Sequence, residues 1–171
     1  PLVFAGHESD VWSAMFSRDG RHIVTASHDN TARVWQADGI GTPVVLAHED
    51  PVFTASFSPD GSLVATTNWN SKARVWRADG IGKPIVLNAV KSQINSVSFS
   101  PNGTHVAAAS SDHKTRIWRI DDLAAPVVLA GHEDSVESAV FSPDGRYIVT
   151  ASADRTARVW RADGTGVAVI L

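Results

Sequence analysis

The chain has 171 residues, 43% apolar and 19% charged, enough material for a substantial core and too apolar a composition for disorder. A net charge of −3 and a pI near 6.2 give no bulk electrostatic reason to expect nucleic acid or an anionic membrane as partner. No run approaches the roughly 18 apolar residues of a membrane span, and the absence of cysteine excludes thiolate chemistry and suits a reducing compartment, so a cytoplasmic location is expected.

In chain order, Leu2 to Phe4 form a short apolar run and Gly6-His7-Glu8-Ser9-Asp10 a polar turn. Val11-Trp12-Ser13-Ala14-Met15-Phe16 reads as a strand closed by Ser17-Arg18-Asp19-Gly20, where Asp-Gly between apolar runs signals a hairpin. Ile23-Val24-Thr25-Ala26-Ser27 is nearly continuous in β-branched and small residues, the pattern of a strand covered on both faces. A turn around Asp29-Asn30 leads to Thr31-Ala32-Arg33-Val34-Trp35. The loop from Ala37 to Thr42 follows, and Pro43-Val44-Val45-Leu46 starts the pattern again.

The stretch from Ser152 to Trp160 organises the whole chain. It returns at Ser27 to Trp35 and, altered, at Asn68 to Trp76 and Ser110 to Trp118, so that the four tryptophans lie 41, 42 and 42 residues apart. The hairpin turn repeats as Phe57-Ser58-Pro59-Asp60-Gly61, Phe99-Ser100-Pro101-Asn102-Gly103 and Phe141-Ser142-Pro143-Asp144-Gly145. A period in this range denotes a repeat architecture, and each copy predicts an antiparallel meander of four short strands. Paired-helix repeats can share the beat, but Gly, Pro or Asp-Gly punctuation leaves no uninterrupted helical window. The expectation is one all-β array over 1–171, with repeats at about 1–42, 43–83, 84–125 and 126–167 and a closing outer strand at 167–171.

These residues resemble the WD-repeat β-propeller family across essentially the whole chain. Gly6-His7, Gly131-His132, the Phe-Ser-Pro-Asp-Gly turns and the Ser-x-Asp to Trp stretches carry the resemblance. The chain departs at the family's last dipeptide, with Trp35-Gln36, Trp76-Arg77, Trp118-Arg119 and Trp160-Arg161. The resemblance implies four-stranded blades, each taking its outer strand from the start of the following repeat. It also implies a buried tetrad of His, Ser or Thr, Asp and Trp in each blade. Carried over, the complete sets are His7, Ser27, Asp29, Trp35 and His132, Ser152, Asp154, Trp160. In the second blade His48 and Trp76 remain while Asn68 and Asn70 replace Ser and Asp; in the third Ser110, Asp112 and Trp118 remain while Val90 replaces the histidine. Half-removed networks leave polar groups without partners, at about 1–3 kcal/mol each, which predicts weaker second and third blades.

Ser, His and Asp in one unit invite a hydrolase triad, but an active site is assembled once, and this set appears complete twice and broken twice at a fixed interval. The same residues therefore read as scaffold, and no catalytic site is expected. His7, His48 and His132 lack companion ligands, and His22, His28, His105 and His113 read as solvated, so neither metal nor cofactor is expected. Arg33, Arg74, Arg116 and Arg158, two residues before each tryptophan, read as salt-bridge positions on the third strand.

The residues that break the rhythm carry the binding signal. Trp12 and Phe53 occupy one repeat position, filled elsewhere by Asn95 and Glu137, and Trp69 precedes Asn70 where other copies have His28, Ser111 and Ala153. The resemblance implies that both positions lie on the propeller's top face, where family members bind peptides and proteins. Trp12, Phe53 and Trp69 could then form an aromatic patch surrounded by Asp10, His28, Gln93, Asn95 and Glu137, or fill gaps between altered blades.

Five outer-type strands against four inner sets suggest an excerpt of a longer array, with paired copies or a closed four-bladed ring as alternatives. Open edges invite self-association. The functional expectation is a non-catalytic protein-interaction scaffold binding a peptide or protein on the top face. The alternative is a structural or sensory region of a larger signalling enzyme, such as a Ser/Thr kinase.

Overall fold

The computed structural model describes residues 2–70, 72–87, 92–122 and 125–171. The first sheet holds β1 (Val11–Phe16), β2 (His22–Ser27), β3 (Thr31–Gln36) and β4 (Val44–Ala47), and the second β5 (Val52–Phe57), β6 (Leu63–Asn68), β7 (Ala73–Arg77) and β8 (Ile85–Leu87). The third holds β9 (Ile94–Phe99), β10 (His105–Ser110), β11 (Lys114–Arg119) and β12 (Val127–Ala130), and the fourth β13 (Val136–Phe141), β14 (Tyr147–Ser152), β15 (Ala157–Arg161) and β16 (Val169–Ile170). Each sheet is an antiparallel meander whose outer strand comes from the start of the next sequence repeat. Leu2 to Phe4, expected as a further outer strand, form none. No sheet edge pairs with this segment; Phe4 instead sets its ring edge-on to Trp35, with centroids 5.7 Å apart.

The innermost strands pack in the order β1, β5, β9, β13, so the blades stand side by side. Between the first two blades, Val24, Ala26, Val34 and Leu46 meet Val52, Ala55, Phe57 and Val64. Equivalent cores join the second to the third and the third to the fourth. Alternate residues of a second strand face opposite neighbours, which is why such a strand reads as a continuous apolar run rather than an alternating one. At the two ends the same positions are bare. Val11 is 50% exposed where Val52 is 0%, Phe16 is 63% where Phe57 is 8%, and Leu171 is 73% where Leu46 is 1%.

The tetrads are built with a hydroxyl different from the one expected. Trp35 donates its indole N–H to Thr25 Oγ1 (2.8 Å), which also meets His7 Nε2 at 2.6 Å, while His7 Nδ1 bonds Asp29 Oδ2 at 2.8 Å. Ser27, expected in that place, instead accepts the Asp29 backbone N–H and donates to the Ser9 carbonyl. The fourth blade repeats this with Thr150 in place of the expected Ser152: Trp160 donates to Thr150 (2.8 Å), and His132 meets Thr150 and Asp154, each at 2.7 Å. With the proton on Nδ1 directed to the carboxylate, Nε2 is left to accept from the threonine, so the bonds run in one direction from indole to carboxylate. Burial pushes the Asp29 carboxyl up, but the bonds from Thr31, the Glu8 backbone N–H and His7 outweigh it and hold the group well below the usual range. Asp154 is held low in the same way, against its burial, by Thr156 and His132.

The tight packing also explains the Gly-His pairs. A Cβ on Gly6, at φ +155, would lie 2.7 Å from Arg33 Nη1 and 3.2 Å from the Trp35 ring.

In the second blade the hydroxyl is Thr66, not Asn68: it accepts from Trp76 at 3.0 Å and meets His48 at 2.8 Å. Asn70, expected in the aspartate's place, turns away to donate to Asp50, and His48 Nδ1 is left to the Leu46 carbonyl at 3.0 Å. In the third blade Ala108 stands where Thr25 does, and Asp112 forms a bidentate pair with Arg116 at 3.0 and 2.6 Å. Val90 lies outside the described residues. Among the described residues, the buried side-chain atoms without a hydrogen bond are Thr67 Oγ1, Asn68 Nδ2, Arg74 Nη1 and Thr115 Oγ1, all in these two altered blades.

Two effects therefore oppose each other. Orphaned polar groups weaken the middle blades by about 1–3 kcal/mol each, three in the second blade and one in the third, beside tetrads that are themselves altered. The end blades each leave several large side chains about half exposed, the fourth blade Val140, Tyr147, Val149, Val169, Ile170 and Leu171, and each forgoes about half of the roughly 1.5–3 kcal/mol that full burial gives. Against the single orphaned group of the third blade the burial term of the fourth is the larger, which reverses the ranking of those two blades that the tetrads alone predict. In dilute solution, amides of β9 and β10 should exchange more slowly than those of β14 and β15, as hydrogen exchange with mass spectrometry can establish; faster exchange in the third blade would show that the polar term wins.

The His48 imidazole is pushed down by burial, with the Arg74 guanidinium adding to it, from the usual 6.5 to about 4. Because the unfolded chain binds this proton more readily, the stability the neutral ring confers is fully present above about pH 6.5 and is lost as pH falls toward about 4, amounting to about 3 kcal/mol. His48→Gln should flatten the pH dependence of the urea midpoint over that window relative to the parent chain. An unchanged slope would contradict this assignment.

Candidate functional site

Every first strand carries a β-bulge at the same place. Val11 pairs Ser27 and Ser13 pairs Ala26, so Trp12 is the extra residue between them; Phe53, Asn95 and Glu137 are the extra residues of β5, β9 and β13. A bulge releases a residue from strict alternation and re-aims its side chain. The bulged residues form a row crossing the inner strands of all four blades at the end where the tetrads lie.

In the first two blades that row is aromatic. Trp12 stacks on Phe53 with centroids 4.8 Å apart and planes 16° apart, and Phe53 stacks on Trp69 at 5.2 Å and 25°. His28 tilts against the other side of Trp12 at 5.0 Å and 53°. The β2–β3 and β6–β7 turns are tied to the loops before β1 and β5 by His28 N–H to the Asp10 carbonyl (2.9 Å) and Trp69 N–H to the Pro51 carbonyl (3.0 Å). The ladder thus joins two blades on a fixed backbone. Trp12 remains 40% and Trp69 59% exposed, so these rings do more than fill an interior gap.

Of the expected polar surround, His28 touches the ladder and Asp10 is exposed two residues before Trp12. Asn95 turns toward the fourth blade, donating to Ser135 Oγ and the Val136 carbonyl at 2.9 Å each. Glu137 continues the row, exposed. Gln93 is exposed and holds Ser110 and Ser111 through its carbonyl. The sequence does not single out Glu49, which receives Arg74 and Lys72 beside the second blade's turn. The repeated arginines pair with carboxylates on the third strand's flank: Arg33 with Asp29, Arg116 with Asp112 and Arg158 with Asp154.

At the opposite end, one cleft recurs between neighbouring blades. Between the first and second it is lined by His22, Val34, Gly61, Ala78 and Asp79, and between the third and fourth by His105, Ile117, Gly145, Ala162 and Asp163, residue for residue the same positions. Its recurrence marks it as a consequence of stacking. Among the described residues no group of three or more His, Asp or Glu side chains could hold a metal ion.

Four segments, 2–36, 41–77, 85–119 and 126–161, match the model of the WD domain, G-beta repeat, and the chain belongs to that family. A comparison with curated proteins finds no match. Domains of this family generally mediate protein–protein interaction and are typically non-catalytic.

The ladder predicts a pattern of energetic coupling. A double-mutant cycle on stability between Trp12→Ala and Phe53→Ala should give about 0.5–1.5 kcal/mol, as stacked pairs do. The cycle between Trp12→Ala and Glu137→Ala, which share no contact, should give close to zero.

Proposed function

We propose that this chain is an interaction module that captures a segment of a protein partner on the aromatic ladder. The observation that carries this reading is the stack of Trp12, Phe53 and Trp69. It is built at bulged and turn positions where the repeats depart from one another, and it is exposed although rings of that size are ordinarily covered. Aromatic anchors dominate the energetics of protein interfaces, and a rigid ladder loses little side-chain entropy on binding. His28 and Asp10 supply the polar rim at the ladder, with Gln93 and Glu137 exposed farther along and Asn95 committed to the fourth blade. The scaffold chemistry of the tetrads and the repetition of the clefts support a role without catalysis. The experiment is a peptide-display selection on the folded chain: Trp12→Ala with Trp69→Ala should weaken selected peptides at least about ten-fold, the loss of one hot spot, with stability lowered only by the two stacking contacts, about 0.5–1.5 kcal/mol each, so that the variant stays folded. Unaltered affinity would refute the ladder as the site.

A second reading follows from the bare end faces. Val11, Phe16 and Ile23 present what every interior blade shows its predecessor, and Val149, Val159 and Leu171 what every interior blade shows its successor. A blade of this same repeat type fits either face, and self-association of the chain through them is proposed. Sedimentation velocity should give concentration-dependent association that Phe16→Asp abolishes; a monomer at all concentrations would contradict it.

A further inference from the structure

Resting on the ladder as the partner surface, we infer that the segment it captures presents an arginine, whose guanidinium stacks on the outer ring of the ladder within an acidic border. The ladder is an open stack. Its rings are parallel to within 16° and 25°, Phe53 contacts Trp69, and Trp69 is 59% exposed. The next member such a stack accepts is another flat group lying parallel to it. Charge decides which flat group. In the ladder's own two blades Glu8 and Asp10 are exposed carboxylates for which the described residues provide no ion pair, and Asp50, next to the Pro51 carbonyl that Trp69 binds, is bonded among the described residues by the neutral Asn70 amide. On the third-strand side of the turns in these two blades the cations are matched, Lys72 and Arg74 to Glu49 and Arg33 to Asp29. The ladder therefore stands in a border with carboxylates to spare. An anionic segment is repelled there, and an aromatic one stacks but leaves the carboxylates without partners. A lysine brings charge in a strongly hydrated, non-planar head. Arginine alone among side chains combines a flat face with a permanent positive charge, and tryptophan is the best ring for it.

The test uses a random twelve-residue peptide library displayed on phage, selected on the folded 171-residue chain and counter-selected against the Trp12→Ala, Trp69→Ala variant. Ladder-dependent peptides should be enriched in arginine. In synthetic copies, replacing that arginine by citrulline, equally flat but neutral, should weaken binding about five- to ten-fold, and replacing it by lysine about three-fold, the scale of an exposed cation–π contact with a surface ion pair. Asp10→Asn combined with Asp50→Asn should erase most of the difference between arginine and citrulline. Ladder-dependent peptides without arginine, or with citrulline tolerated, overturn the arginine assignment while leaving the ladder as the site. A selection that yields only peptides binding the variant equally well overturns both.

Discussion

No four-stranded meander of this length is stable alone, and the structure depends on apolar contact between the faces of consecutive sheets. Val24, Ala26, Val34 and Leu46 against Val52, Ala55, Phe57 and Val64 is one instance, and the pattern recurs twice more. Because each second strand serves two neighbours, its residues are apolar without alternation, and the chain can change almost anything at its two rims while the faces persist. The tetrads act within that frame. They tie the loop before the first strand to the second and third strands, and the second and third blades hold together with that fastening altered because both of their faces are covered.

The same division explains where recognition can be placed. A bulge in each first strand lifts one side chain out of the packed face, so its identity is free of the packing constraint. The four bulged residues are accordingly Trp12, Phe53, Asn95 and Glu137, four different side chains at one structural position. Loss of the aspartate in the second blade has a related effect. Asn70 no longer reaches His48, binds Asp50 instead, and lies in the turn that carries Trp69 against Phe53. An altered fastening and a gained ring therefore share one turn.

Much of this was legible in the sequence because repetition multiplies weak signals. Four copies of a hairpin turn and a tryptophan at a fixed interval mark the strands and the meander, and the resemblance to the WD-repeat family implies the sharing of the outer strand. Trp12, Phe53 and Trp69 could be chosen because they stand outside the beat. What was not legible is local geometry. Ser27 and Thr25 lie two apart on one strand and so point to the same side, and only the register shows that Thr25 meets Trp35; the recurrence of Thr25, Thr66 and Thr150 ten residues before a tryptophan was the available clue. The bulges leave no mark in residue type, so Asn95 could not be seen to turn toward the fourth blade. The segment at Leu2 to Phe4 carries a strand's composition, yet composition cannot supply the edge it would need to pair with.

The central claim is that fastening and recognition are carried by separate residues of the same repeat. The most direct measurement compares Thr25→Val with Trp69→Ala for both thermal stability and affinity toward one ladder-dependent peptide. Thr25→Val should lower stability by about 1–3 kcal/mol by stripping partners from Trp35 and His7 while leaving affinity for the folded chain intact, and Trp69→Ala should lower affinity about ten-fold while costing no more stability than its stack on Phe53, about 0.5–1.5 kcal/mol. Parallel loss of stability and affinity in both variants would contradict the separation.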